Sequence, residues 1–101
     1  MTPKSKPKVA LSETAWNDLK QIPGNARRRM IAAIDELEVD PRPPRSKVLE
    51  GISVQREIRR LRLDPWRIVY LIIEERPLVL AVRRRPPYDY ADVAALIEAE
   101  E

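Results

Sequence analysis

At Pro41-Arg42-Pro43-Pro44-Arg45 the hydrophobic pattern of this chain changes period. Proline fixes φ and lacks the N–H that a helix or a sheet ladder needs, so this segment is a stiff, extended connection. Upstream of it, apolar residues recur every three or four positions; downstream they come in short runs of strand type. Helices followed by strands predict an α+β architecture, in which the helices pack together on a sheet instead of alternating with its strands.

Upstream, a short strand over 8–11 precedes Ser12, which has the chemistry of an N-cap for a helix carrying Ala15, Leu19 and Ile22 with Trp16 beside them. Pro23-Gly24 breaks that helix. Asn25 caps a second one, whose apolar stripe is Met30, Ile34 and Leu37 and which stops before Asp40-Pro41. The turn is short, so residues 13–38 are expected to form an antiparallel helical hairpin. Residues 1–7 hold lysines and prolines with almost nothing to bury and are expected to be flexible.

Downstream, strands are expected over 54–63, 66–73 and 78–85, joined by Asp64-Pro65 and by the stretch 74–77, as an antiparallel meander. Pro86-Pro87 ends the last strand. Tyr90, Val93 and Ile97, with Ala94 and Leu96, mark a short amphipathic C-terminal helix. At 101 residues the chain reads as one domain, 1–101. The longest apolar stretch, 68–73, is far short of the roughly 20 residues of a membrane helix, so a cytoplasmic location is expected.

The sequence has no Cys and no His. Thiolate nucleophiles, Cys/His zinc sites and His-based triads are thereby excluded, and any catalysis must run on Arg, Lys, Tyr, Asp or Glu. Net charge is only +3, yet Arg56, Arg59, Arg60, Arg62, Arg67, Arg83, Arg84 and Arg85 crowd the second half. Clustered arginine is the electrostatic footprint of phosphate binding.

Opposed residues on antiparallel neighbours share a face. If the turn after residue 73 pairs Ile73 with Leu78, Arg67 falls opposite Arg84. An even-length first turn adds Arg60 and Arg62 to that face, along with Ile58, Val69, Leu71, Leu80 and Val82. Arginines converging in this way repel one another, an arrangement that suits a polyanion. The bland alternative is a set of ion pairs with Glu57, Asp64, Asp89 or Asp92.

Beyond this local reading, the order strand, helical hairpin, Pro-rich linker, three-stranded meander resembles the RelE/ParE superfamily of toxins from type II toxin–antitoxin systems. Ile34-Asp35-Glu36-Leu37, Asp40-Pro41-Arg42 and Lys47-Val48-Leu49-Glu50-Gly51 are similar to that family's helix-two end and K-L-x-G segment. Arg60-Leu61-Arg62-Leu63-Asp64-Pro65-Trp66-Arg67-Ile68-Val69-Tyr70 resembles its R-x-R-x-G-x-Y-R-V-x-Y core, with Asp-Pro in place of Gly-Asp and Trp66 in place of Tyr.

The resemblance implies a RelE-like fold and, in the RelE branch, mRNA cleavage in the ribosomal A site without metal or cofactor. It implies catalytic roles for Arg67, for Arg84 with Arg85 as its rival, for Tyr90 with Tyr88 as its rival, and for Arg60 at a position held by a lysine in RelE. Lys47, Arg59, Arg62, Arg83, Arg85 and Tyr88 are the further residues expected to contact RNA. Cleavage through the 2′-hydroxyl needs a base, cations for the phosphorane and a proton for the 5′-oxygen. Arginine supplies the cations; Lys47, Glu57, a tyrosinate, or a water positioned by Arg60 are the alternatives for the base.

A ParE-like gyrase inhibitor, which needs no nuclease site, is the alternative from a different class. A plain RNA-binding module is a third. The implied partner is a cognate antitoxin, expected to cover the sheet and the helical hairpin with apolar anchors and with acidic residues against the arginine cluster, because apolar residues fall on both expected sheet faces, more than one helical hairpin can cover.

Overall fold

The structure, a computed structural model, describes residues 9–52 and 55–100. The stretch expected to be flexible, 1–7, and the expected strand starts at Lys8 and Val54 lie outside the described residues.

Ser12 joins the first strand to the first helix. Its hydroxyl accepts the Ala15 N–H (3.0 Å) and donates to the Leu80 carbonyl (3.1 Å), so one buried side chain ends β1 (Ala10–Leu11) and caps α1 (Glu13–Lys20). The second helix, α2 (Gly24–Val39), begins one residue before the expected Asn25 cap. Pro23 takes the cap position, where its missing N–H costs nothing, and its carbonyl accepts the Arg27 N–H (2.7 Å). Asn25 instead accepts from the adjacent Ala26 N–H (2.9 Å).

The remaining strands are β2 (Ser46–Val48), β3 (Glu57–Leu63), β4 (Trp66–Ile73) and β5 (Arg76–Arg84). They form a five-stranded sheet in the order β1-β5-β4-β3-β2, with β1 parallel to β5 and the other pairs antiparallel. The short edge strand β2 follows directly on the expected proline linker, in a stretch for which no strand was expected; it is brief and mostly polar, with little period of its own.

The turn between β4 and β5 is tighter than the expected 74–77. Glu74 and Glu75 both adopt positive φ (51° and 66°), and Ile73 pairs with Arg76. A bulge at Val69/Tyr70 then shifts the ladder once more. Together these change the register at the far end. Arg67 lies opposite Arg83, not Arg84, and Val82 lies opposite Ile68, on the face away from Arg67.

Each sheet face has its own core. On one face Leu61, Ile68, Tyr70, Ile72, Val79 and Val82 pack under Leu19, Met30, Ile34 and Leu37 of the helical hairpin. On the other, Ile58, Val69, Leu71, Leu80 and Ala81 pack under Val93 and Ile97 of α3 (Val93–Ala99), with Leu49 and Ile52 at the margin. Apolar residues on both faces were the motive for expecting an antitoxin over the sheet and hairpin; those of this second face are covered by α3.

The proline segment is bolted to the sheet. Tyr70 donates its hydroxyl to the Pro41 carbonyl (2.6 Å), and Arg42 binds Glu57 (2.7 Å) and Glu75 (2.8 Å) at once. These contacts set where β2 begins and hence what lies beside β3. Among the described residues no helix is long and apolar enough to cross a membrane.

Candidate functional site

The α3 face is apolar at one end and basic at the other. Its basic end is generated by strand alternation, because the two-residue turn at Asp64-Pro65 keeps Arg62 opposite Arg67 and Arg60 opposite Val69. Lys47 of β2 lies opposite Arg60, and Arg83 of β5 opposite Arg67. Arg60, Arg62 and Arg67 are thus cofacial as the sequence implied, and Lys47 and Arg83 join them. One further ladder bond, from the Arg62 N–H to the Arg45 carbonyl (3.4 Å), brings Arg45 beside Arg62.

Opposed arginines would repel, but carboxylates enter from outside the row. Asp64, in the turn, binds Arg62 (3.1 Å) and Arg67 (2.9 Å), and these two guanidinium groups, Arg62 foremost, hold its carboxyl below the usual range. The Arg67 side chain is only 12% exposed and also donates to the Trp66 carbonyl (2.9 Å). Arg83 is held by Asp18 of α1 (2.7 Å) and by Asp92 just before α3 (3.1 Å), and its guanidinium lies 5.2 Å from the centre of the Tyr88 ring. Asp18 also accepts the Val82 N–H (3.0 Å), along the part of the β5 edge beyond its pairing with β1.

Compensation therefore grows from β2 towards β5. Arg45 and Arg60 make no ion pair among the described residues. Arg62 and Arg67 share one carboxylate, and Arg83 has two. The expected mutual repulsion is largely neutralised at the β5 side.

Other expected site residues lie elsewhere. Arg84 is opposite Trp66, on the hairpin side of the alternation, with its guanidinium 6.0 Å from the indole centre. Arg85 lies 5.1 Å from the centre of the Tyr90 ring. Arg59 is opposite Tyr70 on the hairpin face, is 14% exposed, and binds Ser46 Oγ (3.0 Å) and Glu57 (2.9 Å). Glu57, named as one alternative for the base, is held by Arg42 and Arg59, which keep its carboxyl low against the opposing effect of burial; it belongs to that other face.

The tyrosines pair edge to face, with ring centres 5.0 Å apart. Tyr88 donates to Asp92 (2.6 Å); burial, followed by that carboxylate, pushes its phenol well above the ordinary tyrosine range, so it is not a tyrosinate near neutral pH. Tyr90 adopts φ of 65°, turning the chain into α3, and its hydroxyl is buried without a hydrogen-bond partner among the described residues. Lys47 is exposed on the basic face, the one lysine of the sequence beyond residue 20.

Sequence reasoning found the strand arginines but not Arg45 or the counter-ion Asp18. Arg45 sits in a proline-rich segment with no strand signature. Asp18 is an ordinary outward position of a helix, and its role appears only when α1 docks on the edge of β5.

Solved RelE toxin structures have a similar fold. This chain resembles RelE in the RelE–RelB complex from Pyrococcus horikoshii, with a TM-score of 0.67 and 23% identity over 81% of this chain and 98% of that one. Likeness to the RelB–RelE antitoxin–toxin complex from Methanococcus jannaschii is similar, at 0.66 and 24% over 82% and 99%. The isolated E. coli RelE toxin gives 0.60 and 18% over 95% and 100%. Residues 9–86 match the family model of the ParE toxin of type II toxin–antitoxin systems, parDE, and the chain belongs to that family. No curated protein sequence matches.

Proposed function

We propose that this toxin acts on RNA, as an endoribonuclease that cuts mRNA in the ribosomal A site and is held inactive by a cognate antitoxin. The observation that carries this reading is the cofacial set Lys47, Arg60, Arg62 and Arg67, drawn from three adjacent strands at the end of the face that α3 leaves open. Cations at that density on one surface suit a phosphate backbone, and Arg60 has no internal counter-ion among the described residues.

Each residue has a role its chemistry allows. Arg60 and Arg62 bind phosphate oxygens through planar forks. Arg67, anchored by its Trp66 carbonyl bond, holds one guanidinium in position for the charge that develops on the phosphorane. Lys47 adds a compact ammonium to the planar forks of the arginines. Arg85 lies against the Tyr90 ring ahead of α3, as a stacked pair. The antitoxin part of the reading is supported by the two archaeal neighbours, which were solved as complexes with RelB.

A ParE-like action on DNA gyrase is the second reading. The family match favours it, and so does the position of Arg84 on the hairpin side, where it cannot join Arg67. Two assays separate the readings: cleavage of mRNA on programmed ribosomes, and inhibition of gyrase supercoiling. The expected result is ribosome-dependent cleavage that Arg67→Ala removes. Intact mRNA together with inhibited gyrase would overturn it in favour of the second reading.

A further inference from the structure

We propose that Arg45 is the outermost phosphate-binding residue of the RNA site, and that the RNA backbone enters over the β2 edge, crosses β3 and β4, and stops before Arg83. This deepens the RNA reading above and rests on it.

The pairing of β2 with β3 does not end at Ser46. Ser46 faces Leu61, and the next ladder bond joins the Arg62 N–H to the Arg45 carbonyl (3.4 Å). Ser46 is buried and bound by Arg59 from the hairpin face. Alternation then gives Arg45 the opposite face, the one that carries Lys47. Arg45, Arg62 and Arg67 thus sit on three successive strands in one row, and neighbouring strands are about 4.8 Å apart, so the row is longer than one phosphate group.

Two observations give the row a direction. Arg45 is exposed and has no ion pair among the described residues, whereas Arg83 at the other end is held between Asp18 and Asp92. A polyanion gains most where cations lack counter-ions, and a pair of carboxylates repels it. The β2 end is also held in place. Ser46 Oγ donates to the Pro43 carbonyl (2.7 Å), Arg59 binds Ser46, and Arg42 clamps the proline segment to Glu57 and Glu75. Arg45 is presented from a stiff segment, so little backbone order must be gained when RNA binds.

The test is the salt dependence of binding of a short, unstructured single-stranded oligoribonucleotide to the purified full-length toxin, using wild type, Arg45→Gln, Arg62→Gln and Arg28→Gln. Arg28 is exposed on α2, on the hairpin side, and controls for loss of net charge alone. Each lost phosphate contact to a single strand lowers the slope of log K against log[salt] by about 0.7. The expected result is that drop for Arg45→Gln and for Arg62→Gln, with several-fold weaker binding at low salt, and no change in slope for Arg28→Gln. A normal slope for Arg45→Gln beside a reduced one for Arg62→Gln overturns the assignment of Arg45 and leaves the RNA reading standing. An equal drop in all three variants also overturns it, because the effect is then one of net charge. No RNA binding by the wild type overturns both.

Discussion

The two faces of the sheet share the same central strands but differ in the length of what covers them. At about 1.5 Å per residue, the 16 residues of α2 extend about 24 Å, close to the roughly 26 Å of the eight-residue β4. The seven residues of α3 extend only about 10 Å. The hairpin face is therefore closed over most of its length, with Ile34, Leu37, Ile68 and Tyr70 fully buried. The α3 face is closed over Ile58, Leu71 and Leu80 and open over Arg60 and Arg62. A short second cover leaves room for a charged site on a sheet that a longer helix would have made all core. The charges that remain are compensated from the β5 side, where helix ends supply carboxylates, and left unpaired towards β2.

The largest effect should separate the two covers. Ile34→Ala empties a fully buried position between α2 and the sheet and is expected to cost about 2–5 kcal/mol. Ile97→Ala, at the margin of α3, should cost less, because solvent and the short helix can relax into the gap. Urea unfolding with an unchanged m-value checks both. Equal losses would mean that α3 is as integral to the fold as the hairpin.

Arg67→Ala tests the open end. Loss of a transition-state cation should lower cleavage about 10²-fold, near 3 kcal/mol. Stability should fall by about 1–2 kcal/mol, mostly from lost packing of a side chain only 12% exposed, since its ion-pair partner Asp64 is largely exposed and keeps Arg62. Arg84→Ala, on the hairpin side, should leave cleavage within a few-fold of wild type. An equally large loss at Arg84 would show that substrate wraps round the end of β5, and the contrast between faces would fail.

Arg83 should behave as structure. Arg83→Gln leaves Asp18 and Asp92 without their shared cation and is expected to destabilise by about 1–3 kcal/mol. Adding Asp18→Asn should recover part of that loss, giving a non-additive double-mutant cycle. Additive losses would mean that the pair contributes nothing as a pair.

The smallest effect is alkaline. Folding raises the Tyr88 phenol above its ordinary value near 10, through burial and then Asp92, so the folded state holds that proton more tightly than the unfolded chain. This contribution to stability is complete below about pH 10 and is lost as pH rises towards the folded value. Tyr88→Phe should flatten that part of the stability profile. If the slope above pH 10 is the same in wild type and variant, Tyr88 is not the group responsible.

Local chemistry alone determined much of this protein. The change of period across Pro41–Pro44 separates the hairpin from the meander. Ser12 caps α1, β4 runs from Trp66 to Ile73 as its apolar run between turn residues implies, and the two-residue Asp64-Pro65 turn makes Arg60, Arg62 and Arg67 cofacial. These features depend on residues a few positions apart, and side-chain period records them directly.

Tertiary structure decided what lies beside that trio. A tight Glu74-Glu75 turn and one bulge put Arg83 where Arg84 was expected, and alternation carries no mark of a bulge further along the ladder. Asp18 meets Arg83 across 65 positions of sequence because α1 docks on the edge of β5, and β2 forms because Arg42, Ser46 and Tyr70 tie a polar segment to a sheet already built. Pairings of that range depend on how distant elements come together, which no local pattern of residues encodes.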